Sequence, residues 1–98
     1  MKILLTAKND TIVTLARKIG YRPFGVDEYN EYSLVKTLSA GKNYPRFHIY
    51  GKKIGDSEFE LNLHLDQKMA SYEGSSAHSG EYDGELVEKE AERIKRNF

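Results

Sequence analysis

The stretch Pro45–Lys68, PRFHIYGKKIGDSEFELNLHLDQK, decides the fold, because its residues alternate so regularly that each side chain can be assigned to a face. Phe47 and Ile49 alternate with Arg46, His48 and Tyr50. Phe59, Leu61, Leu63 and Leu65 alternate with Glu60, Asn62, His64 and Asp66. A period of two marks a half-buried strand, and two such runs joined by a Gly- and Asp-containing reversal predict an antiparallel hairpin packed on one side only. Residues opposite each other in such a pair share a face, so His48 stands across from Asn62 or His64, the positions the loop length allows. The polar face of the hairpin thus gathers two histidines, an arginine and an aspartate.

Upstream, Ile12, Leu15, Ala16 and Ile19 recur at i, i+3, i+4 and i+7. The spacing predicts an amphipathic helix of about three turns, capped by Asn9 or Asp10 and closed by Gly20. Before it, KILLTA reads as either a short strand or an apolar extension. Tyr21–Tyr32, broken by Pro, Gly and acids, reads as a connector, and YSLVKTLS as a third strand in preference to a helix, although Tyr32, Val35 and Leu38 also fall roughly on one helical face. After Asp66 comes a Ser-, Gly- and Tyr-rich connection reaching Gly84. Such a length in a small domain is either functional or disordered. The last segment, GELVEKEAERIKRNF, predicts a helix capped by Asp83, with Val87, Ala91, Ile94 and Phe98 as its apolar stripe. The expected fold class is therefore α+β: a three-stranded antiparallel sheet with two helices on its apolar face, in the order α-β-β-β-α, an extra N-terminal strand being left open.

The 98 residues match one small domain spanning 1–98. With 39% hydrophobic and 31% charged residues the composition is globular. No run approaches the ~20 apolar residues of a spanning helix, and MKILLTAKND turns polar too early for a signal-peptide core. The expectation is a cytoplasmic chain without membrane attachment. Cysteine is absent, which excludes disulfides and thiolate chemistry. The formal charge of zero hides an asymmetry: residues 1–53 hold ten Lys/Arg against four Asp/Glu, and residues 54–98 hold five against eleven. The basic half could meet an anionic partner such as nucleic acid, although mutual attraction of the two halves within the fold is the preferred explanation of the pattern.

Imidazole titrates near neutrality, and a neighbouring carboxylate can fix its tautomer, so His48, His64 and Asp66 are the candidate catalytic set. Arg46, Tyr50 and Asn62 on the same face, with Tyr72, His78 and Glu81 from the following connection, are candidate binding residues; Tyr and Arg suit stacking on bases and phosphate contact. A metal site would need His48, His64, Asp66 and His78 to converge. No tight spacing such as HxxxH supports that, so no metal ligand is assigned and no cofactor is expected.

The order helix, connector, three strands, loop, helix resembles the double-stranded-RNA-binding-domain layout, and within it the HicA-type mRNA-cleaving toxins. LARKIGYRP, FHIY, LNLHLDQK and HSGEYDG carry the likeness. The resemblance implies RNA as substrate, a catalytic role for His48 and an antitoxin-like protein partner. It departs from the family in lacking Gly-Ser before the histidine, in its neutral charge and in its long connection. Whether the chain is an enzyme, a protein-interaction module or a His/carboxylate metal-binding domain stays open at this point, as does its oligomeric state.

Overall fold

The computed structural model describes residues 1–67, 80–81 and 84–98, the pair 80–81 as backbone alone. Its elements run β1 (Lys2–Thr6), α1 (Ile12–Ile19), β2 (Arg22–Val26), β3 (Tyr32–Thr37), β4 (Arg46–Lys53), β5 (Glu58–Asp66), β6 (Gly80–Glu81) and α2 (Glu85–Arg96). The class is α+β. The expected three-stranded sheet is corrected to five antiparallel strands in the order β1-β5-β4-β3-β2, and the two-residue β6 also pairs with β5.

The two added strands have different physical origins. KILLT becomes β1 because Ile3 and Leu5 stand opposite Leu61 and Phe59, which extends the buried side of β5 by one more row. The ladder continues to Met1, whose amide oxygen accepts from the Leu63 N–H at 2.8 Å. RPFGV becomes β2 although it carries Pro and Gly. It is an edge strand exposed along its length, and a register shift between Pro23 and Gly25 absorbs the irregularity.

The predicted hairpin forms in the register that pairs Arg46 with Asp66, His48 with His64, Ile49 with Leu63, and Tyr50 with Asn62. Of the two expected partners of His48, His64 is therefore the one found. Odd-numbered residues of β4 and β5 face the helices and build a single core with Ile3, Leu34, Ile12, Leu15, Ile19, Val87, Ala91 and Ile94. Gly51 lies on that face where α1 crosses. A Cβ there would stand 3.0 Å from Leu61 Cδ2 and 3.1 Å from Ile12 Cδ1, so glycine is what lets the helix approach.

Gly20 closes α1 in the left-handed conformation at φ 82°, as expected. The N-cap is Thr11 rather than Asn9 or Asp10: Thr11 and Thr14 form a reciprocal capping box. Asp10 instead accepts from Thr14 Oγ1 at 3.1 Å and Lys18 Nζ at 2.8 Å. The expected cap Asp83 lies outside the described residues; Gly84 occupies the N-cap of α2 without a side-chain bond. Phe98 falls past the end of α2 and is exposed instead of completing the apolar stripe.

A buried polar knot ties α2 to the far end of α1. Glu90 accepts from Tyr21 Oη at 2.6 Å and from Arg93 Nε and Nη2 at 2.7 and 2.8 Å, while Arg93 Nη2 also donates to the Ile19 carbonyl at 2.7 Å. Burial alone would raise the Glu90 carboxyl, but the bonds from Arg93 and Tyr21 outweigh it and hold the group below the ordinary carboxylate range. Burial, reinforced by the Glu90 carboxylate, pushes the Tyr21 hydroxyl far up, so it stays a donor.

Leu63 is fully buried and Leu4, on the opposite face, is 64% exposed. Leu63→Ala should cost ~2–5 kcal/mol in urea unfolding, whereas Leu4→Ala should cost under about 0.5 kcal/mol. Equal costs would mean that the two sheet faces are assigned the wrong way round.

Candidate functional site

The face of the sheet away from the helices carries the even-numbered residues of β4 and β5, set in rows by the register. Asp66 stands opposite Arg46, His64 opposite His48, and Asn62 opposite Tyr50; on the outer side of β4, Val35 of β3 stands opposite His48. This face is not uniformly wet. His48 and His64 are only 7% and 6% exposed, and Val35 is buried beside them, whereas Tyr50 and Leu4 are open. A polar residue on an exposed sheet would carry little meaning; two buried imidazoles need a partner.

That partner is Asp66. Its Oδ2 lies 3.1 Å from His48 Nδ1 and 3.2 Å from Arg46 Nε, and its Oδ1 lies 2.9 Å from His64 Nε2. A carboxylate accepts and cannot donate, so each ring nitrogen facing it carries the proton when the imidazole is neutral. His48 is then the Nδ1–H tautomer and His64 the Nε2–H tautomer. The Nε2 atom of His48 is buried and has no hydrogen-bond partner among the described residues.

Electrostatics favour the neutral rings. Burial is the largest influence on His48 and lowers it below the ordinary imidazole range, outweighing the hydrogen bond and charge of Asp66, while Arg46 pushes the same way as burial. His64 is lowered for the same first reason, with His48 adding to burial against Asp66. The two rings stand 4.8 Å apart between centroids, and Tyr50 lies 4.5 Å from His48 and 5.5 Å from His64. Three rings therefore share one patch above the carboxylate. The Arg46 guanidinium is held at its other faces by aromatics, 4.5 Å from the Tyr44 ring centroid and 5.4 Å from that of Phe24.

Arg46, His48, His64 and Asp66 thus converge as the alternation predicts. Tyr50 joins them through its ring, and Asn62 stands one row further along. Tyr72 and His78 lie outside the described residues. Glu81 is described only as the backbone partner of Leu65, with Gly80 opposite Asp66. Val35 and Phe24 were not among the residues expected at the site. Val35 could have been found from the alternation of YSLVKT once its pairing with β4 was known; Phe24 carries no such signal, since it lies at the bulge of an irregular edge strand.

Compared with protein-family models, curated proteins and solved structures, the chain finds no match. Among the described residues no helix is long and apolar enough to cross a membrane.

A histidine whose folded value is lowered binds fewer protons in the native than in the unfolded chain between the two values. Its contribution to stability is therefore complete above the unfolded value of about 6.5 and is lost as pH falls through the folded one. The metal-free protein should lose stability between pH 7.5 and 5.5 in urea titrations, and His48→Gln and His64→Gln should each flatten that slope. Stability that stays level or rises on acidification would contradict the assignment of buried neutral rings.

Proposed function

We propose that this domain binds a divalent transition-metal ion through His48, His64 and Asp66. The observation that supports it is the convergence of two imidazole nitrogens on one carboxylate, at 3.1 and 2.9 Å, with donor atoms of all three residues within 4.8 Å of one another. Bonds of ~2.0–2.2 Å to zinc or a similar ion separate neighbouring ligand atoms by about 3–3.4 Å, so little movement separates the hydrogen-bonded cluster from a coordinating one. For the nitrogens that face Asp66 to ligate, each ring would stay neutral and carry its proton on the other nitrogen, so that a lone pair instead of an N–H points at the ion. Two imidazoles and one carboxylate suit zinc, iron(II), nickel or copper better than magnesium or calcium. Three protein ligands leave a further position for water or substrate, the pattern of a reactive rather than a structural site. Arg46 would then orient Asp66 from outside the coordination sphere, at the cost of some repulsion toward the cation. Titrating the chelator-treated protein with zinc should give one-to-one binding that raises thermal stability, by about 2.7 kcal/mol at a hundredfold excess over Kd. His48→Ala and His64→Ala should each lose the effect. Stoichiometric binding that survives His64→Ala, or none at all, would refute the reading.

The aromatic setting of Arg46, with exposed Phe24 and Tyr50 nearby, favours a second reading, an RNA-directed domain of the kind the resemblance implies. In it Asp66 would orient His48 and leave Nε2 as the proton acceptor, the division of labour of a carboxylate-held general base. His48→Ala should then abolish RNA cleavage without unfolding the protein. Wild-type protein that neither retains nor cleaves RNA in dilute salt removes this reading while leaving the metal proposal standing.

A further inference from the structure

A second concavity lies at the outer edge of the sheet, away from Asp66, where β2 has not yet begun to pair and β3 runs on. The β2–β3 ladder reaches Arg22 opposite Val35. Beyond it Lys36 and Thr37 continue along β4 with no β2 partner. The gap is a cavity of about 630 Å³ between the Gly20–Arg22 corner, the end of β3 and the turn Gly41–Asn43. That volume lies within the range of small-molecule sites and is large enough for a nucleotide-sized body.

Its charge is one-sided. Arg22, Lys36 and Lys42 line it, and among the described residues no carboxylate does. Glu90, the acid paired with Lys36 among the described residues, lies 3.9 Å from it but is already taken by both Arg93 nitrogens and by the Tyr21 hydroxyl. Lys36 is therefore a surplus cation on that carboxylate. Arg22 and Lys42 make no ion pair among the described residues, and both are exposed. Asn43 and Thr37 add neutral donors at the rim. Three like charges around one concavity repel one another, and the fold tolerates them most easily if an anion occupies the space between them. At Gly20 and Gly41, which also line the cavity, a side chain would meet no described atom within 4 Å beyond its own chain neighbours.

We infer that this cavity binds a terminal phosphate carried on a nucleotide-sized body. A phosphomonoester dianion answers three cations better than a monoanion does. Arginine can grip two of its oxygens at once while the lysines act as point charges. The ligand could be a free mononucleotide or the phosphorylated end of an RNA strand, since both offer the same group. The inference is independent of what the His48–His64–Asp66 cluster does.

The test uses the whole chain with inorganic phosphate, adenosine 5′-monophosphate, adenosine, and a 5′-phosphorylated tetranucleotide with its 5′-hydroxyl twin as probes, read by amide-resolved NMR titration. Adenosine 5′-monophosphate should bind at least tenfold more tightly than adenosine, phosphate should compete with it, and the shifts should map to Gly20–Arg22, Lys36 and Gly41–Asn43. Arg22→Gln and Lys42→Gln, both exposed and separate from the core, should each weaken binding about tenfold, and added salt should weaken it further. A tetranucleotide that binds more tightly than the mononucleotide, and only with its 5′-phosphate, identifies a strand end as the source; the reverse order identifies a free nucleotide. No saturable shifts at millimolar probe, shifts centred elsewhere, binding unchanged in both variants, or equal binding of the 5′-hydroxyl twin would each overturn the inference.

Discussion

The register of β4 against β5 is the constraint on which the rest depends. One pairing, His48 opposite His64, places Ile49 against Leu63 on the helix side and Arg46 against Asp66 on the other. Because side chains alternate with a period of two, a slip of β5 by one residue would drive Leu61, Leu63 and Leu65 into solvent and His64 into the core. Apolar burial therefore fixes the register, and the site follows from it. The same alternation that packs α1 and α2 onto one face also lines up the polar groups on the other.

Within that frame Asp66 acts as the hub. It draws three donors from two strands onto one carboxylate, and the imidazoles stay neutral because burial outweighs its charge. A polar cluster of this kind stabilises little unless every member is satisfied, and His48 keeps a buried nitrogen with no partner among the described residues. An arrangement serving stability alone would have little reason to bury two titratable rings where valine or threonine would pack. Glu90 differs: that carboxylate, more deeply enclosed than Asp66, is saturated by Arg93 and Tyr21 and joins two helices, so structure alone accounts for it.

Much of this was legible in the sequence where a single physical signal dominated. The hairpin faces, both helices and the convergence of Arg46, His48, His64 and Asp66 follow from periodicity and the pairing rules. What escaped was set by tertiary context. Strand β2 has Pro, Gly and no buried residue, so only its pairing with β3 makes it a strand. Strand β1 is too short for its alternation to decide, until the free edge of β5 provides a place for it. Nothing local in the sequence marks the burial of Glu90, because its partner Tyr21 lies sixty-nine residues away. The cap moved to Thr11 because the Thr11–Thr14 pair satisfies two orphan amides at once and leaves Asp10 to Lys18.

The claim that Asp66 holds two neutral imidazoles in opposite tautomers is tested most directly by long-range ¹H–¹⁵N correlation of the histidine rings in metal-free protein at pH 7. The account predicts His48 protonated at Nδ1 alone and His64 at Nε2 alone, each spectrum reporting one proton per ring. Two imidazolium rings, or His48 protonated at Nε2 instead, would contradict it.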